Sequence, residues 1–215
     1  MRSKESGQLD QLIAERRSIR RGDALFRAGD PFNSWYAISI GSLKSTVASL
    51  DGRAQVTGFY VAGELVGWDG IHTGRHSFDM LALEDTEVRV LPYGQLESAA
   101  RLLPALHTDL HKTMSREIVR AHEMMLLLGS MRAEQRLAAF LLNLAQRLKT
   151  GRVNGGFTLQ MTRAEIGSFL GLKLETVSRG FSRLARSGLI ELNCRQVRIT
   201  NSLRLRRVLH AVPAR

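Results

Sequence analysis

The 215-residue sequence predicts an α+β protein in three parts: a strand-rich front, one long helix and a basic helix-turn-helix back. Three observations carry this expectation. Between Ser18 and about Pro92, glycines and Asp-Gly pairs recur at intervals too short for long helices. From Pro104 to Ser130 the apolar residues switch to spacings of three and four, the helical period. The charge is also uneven: residues 1–130 hold 15 Lys+Arg and 16 Asp+Glu, net −1, whereas residues 131–215 hold 16 Lys+Arg and four acids, net +12.

Composition narrows the function classes. A 44% apolar chain of this length buries a core without staples. The lone Cys194 allows neither an intramolecular disulfide framework nor a four-cysteine metal site within one chain, which fits a reducing compartment. The longest apolar run, Met124 to Leu128, is far short of the roughly 20 residues of a membrane span. The polar N-terminus has no apolar signal core. A cytoplasmic protein with no membrane partner is expected. A back of net +12 implies a polyanion, because neutralising phosphates releases counterions. Nucleic acid and an anionic membrane both fit, and the absence of a Lys-rich tail favours nucleic acid.

In the front part the candidate strands are Ala24–Phe26, Trp35–Ile40, Leu43–Leu50, Gln55–Tyr60, Phe78–Leu83 and Glu87–Leu91, with Asp51-Gly52 as a hairpin turn. Many short strands predict a sandwich or barrel. In the long helix, Met114, Ile118, Ala121, Met125 and Leu128 form an a/d seam. The seam can lie on the protein's own barrel or pair with the same helix of a second chain; in the second case Leu126 and Leu127 face the barrel. Gly129 ends or bends the helix, so Leu128 to Arg132 is the expected hinge. The domains are then 1–103, 104–130 and 131–215.

The back part opens with a helix over about Arg132–Lys149, its stripe made by Leu137, Phe140, Leu141, Leu144 and Leu148, with Gly151 just beyond. Thr162-Arg163-Ala164-Glu165 is a capping box that opens a short helix to Leu170. Gly171 supplies the turn, and a second helix runs from about Leu174 to Ser187, closed by Gly188. That is the helix-turn-helix pattern. With Val177, Phe181 and Leu184 inward, Glu175, Ser178 and Arg179 project outward. Glu175 and Arg179 at i and i+4 can form a surface ion pair; in a groove-facing helix the carboxylate accepts from cytosine N4 and the guanidinium forks onto guanine O6 and N7. Leu189–Leu192 and Gln196–Ile199 read as a winged hairpin around Asn193-Cys194-Arg195. Thr162, Arg163, Lys173, Arg183 and Arg195 are the candidate phosphate contacts.

These residues, in this order, resemble the cyclic-AMP receptor/fumarate-nitrate regulator (CRP/FNR) family of bacterial transcription regulators. The likeness to the fumarate-nitrate branch is carried by Gly63-Glu64-Leu65-Val66-Gly67, Met125 to Leu128, Arg136 to Phe140, Met161-Thr162-Arg163, Leu170-Gly171-Leu172 and Glu175 to Arg179. The resemblance implies a double-stranded β-helical jelly roll of cyclic-nucleotide-binding type as sensor, a long dimerisation helix and a C-terminal winged helix-turn-helix. It also implies a homodimer, double-stranded DNA as ligand, RNA polymerase as partner, and TTGAT-like inverted repeats read by Glu175, Ser178 and Arg179.

The sensor end departs from the family. Gly67-Trp68 and His76-Ser77 stand where cyclic-nucleotide binders place their carboxylate and phosphate clamp, and Arg89 stands where the iron–sulfur branch has its barrel cysteine. No cofactor is therefore expected. A seam that is neutral at Ala121 allows an effector-independent dimer, since no like charges meet there. The alternative is an effector-dependent regulator with a small molecule or haem in a pocket near Gly63, Glu64, Trp68, His76 and Ser77, with His72 and His76 as haem candidates. Cys194 is read either as a redox switch near DNA or as an ordinary surface thiol. His107 and His111 have helical metal-ligand spacing without a third ligand. No nucleophile–base–orienter set or Walker loop is present, so no enzymatic activity is expected.

Overall fold

The computed structural model describes residues 15–48, 52, 54–148 and 156–210. The chain packs as two compact units, residues 1–120 and 121–215. The division falls inside the long helix, not at either end of the expected 104–130 segment.

Among the described residues of the first unit, eight strands make two antiparallel sheets. They are β1 (Glu15–Ile19), β2 (Ala24–Phe26), β3 (Ser34–Ile40), β4 (Ser42–Ala48), β5 (Ala54–Val61), β6 (Leu65–Val66), β7 (Asp79–Ala82) and β8 (Thr86–Pro92). One sheet has the order β1-β8-β3-β6 and the other β2-β7-β4-β5, so every pair of sequence neighbours except the β4–β5 hairpin crosses between sheets, as in a jelly roll. Alternation at period two turns Ile19, Ile38, Val66 and Val88 of the first sheet toward Leu25, Leu43, Met80 and Ala82 of the second, and these make the barrel core. β1 and the two-residue β6 carry too few inward residues to announce themselves: β1 buries only Ile19. The strands β4 and β5 pair in a hairpin, as expected, but Leu50 and Asp51 of its turn lie outside the described residues.

A helix absent from the sequence reading, α1 (Tyr93–Leu102), follows β8 directly and buries Leu96 and Ala100. The long helix α2 spans Pro104–Ser130, as its period predicts. Leu106, Leu110 and Met114 pack against Trp35, Leu91 and Leu96, so a second apolar cluster seats the start of α2 on the outer face of the first sheet.

The second unit contains α3 (Ala133–Arg147), β9 (Gly156–Thr158), α4 (Arg163–Leu170), α5 (Leu174–Arg186), β10 (Ile190–Asn193), β11 (Gln196–Ile199) and α6 (Ser202–Leu209). Lys149 and Gly151, expected to end the first of these helices, lie outside the described residues. The wing is a three-stranded sheet, β10-β11-β9, one strand more than the hairpin expected. Leu137, Leu141 and Leu144 of α3, Ile166 and Leu170 of α4, and Val177, Phe181 and Leu184 of α5 are almost wholly buried. α6, also unforeseen, buries Leu205 and exposes three arginines, Arg204, Arg206 and Arg207.

Candidate nucleic-acid interface

The first turn of α4 is built as its sequence requires. The Glu165 amide donates to Thr162 Oγ1 at 3.2 Å, and the Thr162 amide donates to Glu165 Oε2 at 2.6 Å. Gly171 closes the helix at φ +62°, a left-handed conformation that costs a side-chain-bearing residue about 1–2 kcal/mol. The turn delivers α5 with one row inward and the opposite row to solvent. Glu175, Ser178, Arg179 and Ser182, at spacings of three, one and three, are all exposed. The surface ion pair considered for Glu175 and Arg179 is not made: neither side chain has a hydrogen bond or ion pair among the described residues. Both are left free to meet an external donor or acceptor.

The five candidate phosphate contacts divide. Lys173, at the N-cap of α5, and Thr162 are exposed. Arg195 lies in the wing turn, where its Nη1 makes only a long 3.5 Å approach to the Gln160 carbonyl. Arg183 and Arg163 do not stand free as expected. Arg183 Nη1 is 3.0 Å from Glu134 Oε2, an ion pair within the domain. The Arg163 guanidinium lies 3.3 Å from the centroid of the Phe181 ring, and its Nη1 has no hydrogen-bond partner among the described residues. Burial there lowers its pKa. The signal for Glu134 and Arg183 is weak in sequence, since 49 residues separate them. Cys194 occupies the two-residue turn between Asn193 and Gln196 at φ +52°, with an exposed thiol. Arg198 forms an ion pair across the wing with Glu191.

The seam residues of α2 also divide. Ile118 is 59% exposed and Met125 62%, and Ala121 and Leu128 are exposed with them. Met114 departs from this row, because it packs on Trp35, Leu91 and Leu96. Of the adjacent pair expected to face inward, Leu127 is buried whereas Leu126 is 62% exposed; at 100° per residue the two point apart.

At the barrel end, Gly63 turns at φ +90° and presents Glu64. Arg120 of α2 donates to Glu64 Oε1 at 2.8 Å and to Glu117 Oε1 at 2.5 Å. Burial works to lower the Arg120 pKa, but the two carboxylates outweigh it and hold it raised. Trp68 stands edge-on to Trp35 and Tyr60. His76 is 3% exposed, stacked on Phe26 with centroids 3.6 Å apart, and its Nδ1 is 3.1 Å from Asp69 Oδ1. The Ser77 amide donates to the other oxygen of Asp69 at 2.7 Å. Asp69 and Arg120 were missed in the sequence, since Asp69 acts partly through a backbone amide and Arg120 through a carboxylate remote in the chain. Of the two haem candidates, His72 is exposed and His76 is buried. His107 and His111 meet edge to face at 4.2 Å on α2. Among the described residues no cluster of three or more His, Cys, Asp or Glu is placed to hold a metal. Among the same residues no helix is long and apolar enough to cross a membrane.

Residues 16–101 match the family model of the cyclic nucleotide-binding domain, and residues 135–208 that of the Crp-like helix-turn-helix domain. The transcriptional regulatory protein btr of Bordetella pertussis is 46% identical over 200 residues, which cover 93% of this chain and 83% of that protein. Transcriptional activator protein anr of Pseudomonas aeruginosa is 41% identical, covering 92% of this chain and 81% of that protein. Among solved structures, FixK2 from Bradyrhizobium japonicum aligns with a TM-score of 0.84 at 33% identity, covering 94% of this chain and all of that one. With a jelly roll ahead of a winged helix-turn-helix, and relatives this close over nearly its whole length, the chain belongs to the CRP/FNR family of DNA-binding transcription regulators and is not an enzyme.

Proposed function

We propose that the protein acts as a homodimer on inverted repeats of TTGAT-like half-sites, contacts RNA polymerase, and needs no iron–sulfur cluster, cyclic AMP or haem to do so. The observation that carries the reading is the unpartnered, exposed row Glu175, Ser178 and Arg179 on a helix whose opposite row is fully buried. Such a helix offers a carboxylate and a guanidinium to base edges in a major groove. Lys173, Thr162 and Arg195 flank it as phosphate contacts, while Arg183 and Arg163 serve the domain's own packing. Ile118, Ala121, Met125 and Leu128 are the dimer seam. In this assignment residues 1–103 are the sensor-type barrel, 104–130 the dimerisation helix and hinge, and 131–215 the DNA-binding domain. The polymerase contact rests on relatives named as transcriptional activators.

The residues at the barrel end do not fit a cyclic nucleotide. Asp69 engages the His76 side chain and the Ser77 amide, and Arg75, the guanidinium of that loop, is exposed and donates to the Gly29 carbonyl. Glu64 is engaged by Arg120. Arg89 in the central strand β8 and a single cysteine in the wing argue equally against an iron–sulfur cluster.

The test is binding of the purified protein, without additives, to a TTGAT…ATCAA duplex and to a scrambled duplex at fixed near-physiological salt. A strong preference for the repeat is expected. No preference would transfer control to an effector, and the search would move to the barrel around Trp68 and His76.

A further inference from the structure

The connection between α2 and α3 is gripped by one side chain. Arg136, in the first turn of α3, donates from Nη2 to the Leu128 carbonyl at 2.8 Å, from Nε to the Met131 carbonyl at 2.9 Å and from Nη1 to the Leu170 carbonyl at 2.9 Å. Leu128 lies in the last turn of α2 and Leu170 is the last residue of α4, so two of these acceptors are helix-end carbonyls that lack an intrahelical partner. The guanidinium is a rigid planar fork, and a cation is favoured at both C-termini by the helix dipoles. It therefore ties the end of the seam helix to the turn of the helix-turn-helix.

A second observation bears on the same joint. A Cβ added at Gly171 would lie 3.3 Å from Arg136 Nη1 and 3.5 Å from Leu128 Cδ2, which places the turn against the end of α2. The next residue of α3, Leu137, reaches the recognition helix: a Cβ at Gly180 would come within 2.8 Å of Leu137 Cδ2. Glu134, two residues earlier, pairs with Arg183 of α5. One turn of α3 thus holds the end of α2 through position 136 and the recognition helix through positions 134 and 137. All of these contacts lie within residues 121–215.

We propose that Arg136 is a positioning residue that sets the angle between the end of the dimer helix and the recognition helix, and thereby the half-site spacing the protein accepts. This rests on the paired-helix reading of the seam. In a two-fold dimer a small change of that angle moves both recognition helices, and centre-to-centre spacing is a geometric property of the pair.

The experiment compares the full-length parent with Arg136→Lys, which keeps the charge and loses the fork. Arg136→Gln replaces it should the lysine variant not fold, as judged by thermal unfolding. Each is titrated with TTGAT…ATCAA duplexes whose spacer is lengthened or shortened base pair by base pair, and with a duplex carrying one half-site. The expected result is unchanged half-site affinity and a discrimination between spacers reduced about tenfold, the scale of one charge-assisted hydrogen bond. A variant that keeps the parent's spacer ratios overturns the inference, as does one that weakens half-site and repeat alike, which marks a purely structural role. A parent with no spacer preference overturns the paired-helix reading and the inference with it.

Discussion

Three arginines of the DNA-binding domain show how partners, not residue type, assign roles. Arg179 is exposed and unpartnered among the described residues, Arg183 is held by Glu134, and Arg163 lies on the Phe181 ring with its charge partly desolvated. In the proposed reading, Arg179 is the one that forks onto a guanine. Arg179→Ala is expected to cost about 1–3 kcal/mol on the specific repeat and to relax selectivity at one base position. Arg195→Ala, at an exposed wing position, is expected to weaken specific and scrambled DNA alike and to lower the salt slope by about one. Titrations of both variants on both duplexes at two salt concentrations separate the cases; equal losses on the two duplexes for Arg179→Ala would withdraw its base-reading role.

The elements of the helix-turn-helix owe their ends to a few local bonds. Thr162 and Glu165 satisfy each other's amides at the start of α4, and Gly171 ends it in a conformation few other residues accept. Thr162→Ala is expected to lower the stability of the DNA-binding domain by about 1 kcal/mol, and Thr162→Ser to restore most of it, as read by denaturant unfolding. If the alanine variant unfolds like the parent, the cap is not limiting and tertiary packing alone holds α4. The same logic explains α1 and α6. Neither opens on a capping box of the Thr162–Glu165 kind: α1 follows β8 directly from Pro92, and α6 has only the Asn201 side chain accepting from the Arg204 amide. Both were therefore missed, although each buries apolar residues, Leu96 and Ala100 in one and Leu205 in the other.

At the scale of the whole molecule, the proposed homodimer rests on the exposed seam of α2. Ile118 and Met125 leave more than half of their surface open, and Ala121 between them is neutral and exposed. Paired with its symmetry mate, an aspartate at that point would oppose another aspartate across an apolar contact. Ala121→Asp is expected to convert dimer to monomer at micromolar concentration, measured by light scattering after chromatography, and to lose the preference for two half-sites over one. A parent that is already monomeric under these conditions would remove the dimer from the proposal. Glu64 and Arg120 join the turn after β5 to the same helix, so the barrel grips α2 near the seam.

Much of this was legible in the sequence because it depends on local chemistry. Period-two and period-3.6 patterns placed most strands and the long helix; the Thr162–Glu165 spacing and Gly171 placed α4 and α5; the order of motifs identified the family. What the sequence did not decide lies in contacts between distant segments. Met114 is in phase with the seam, yet it belongs to the barrel because Trp35, Leu91 and Leu96 offer it a closer apolar surface. Arg183 and Arg163 share their residue type with Arg179, but folding brings Glu134 to the first and the Phe181 ring to the second. Arg136 enters the sequence reading only as part of a family motif; the fold brings the carbonyls of Leu128, Met131 and Leu170 to its single guanidinium. Backbone acceptors carry no mark in an amino-acid sequence, so a joint made of them becomes visible only in the tertiary structure.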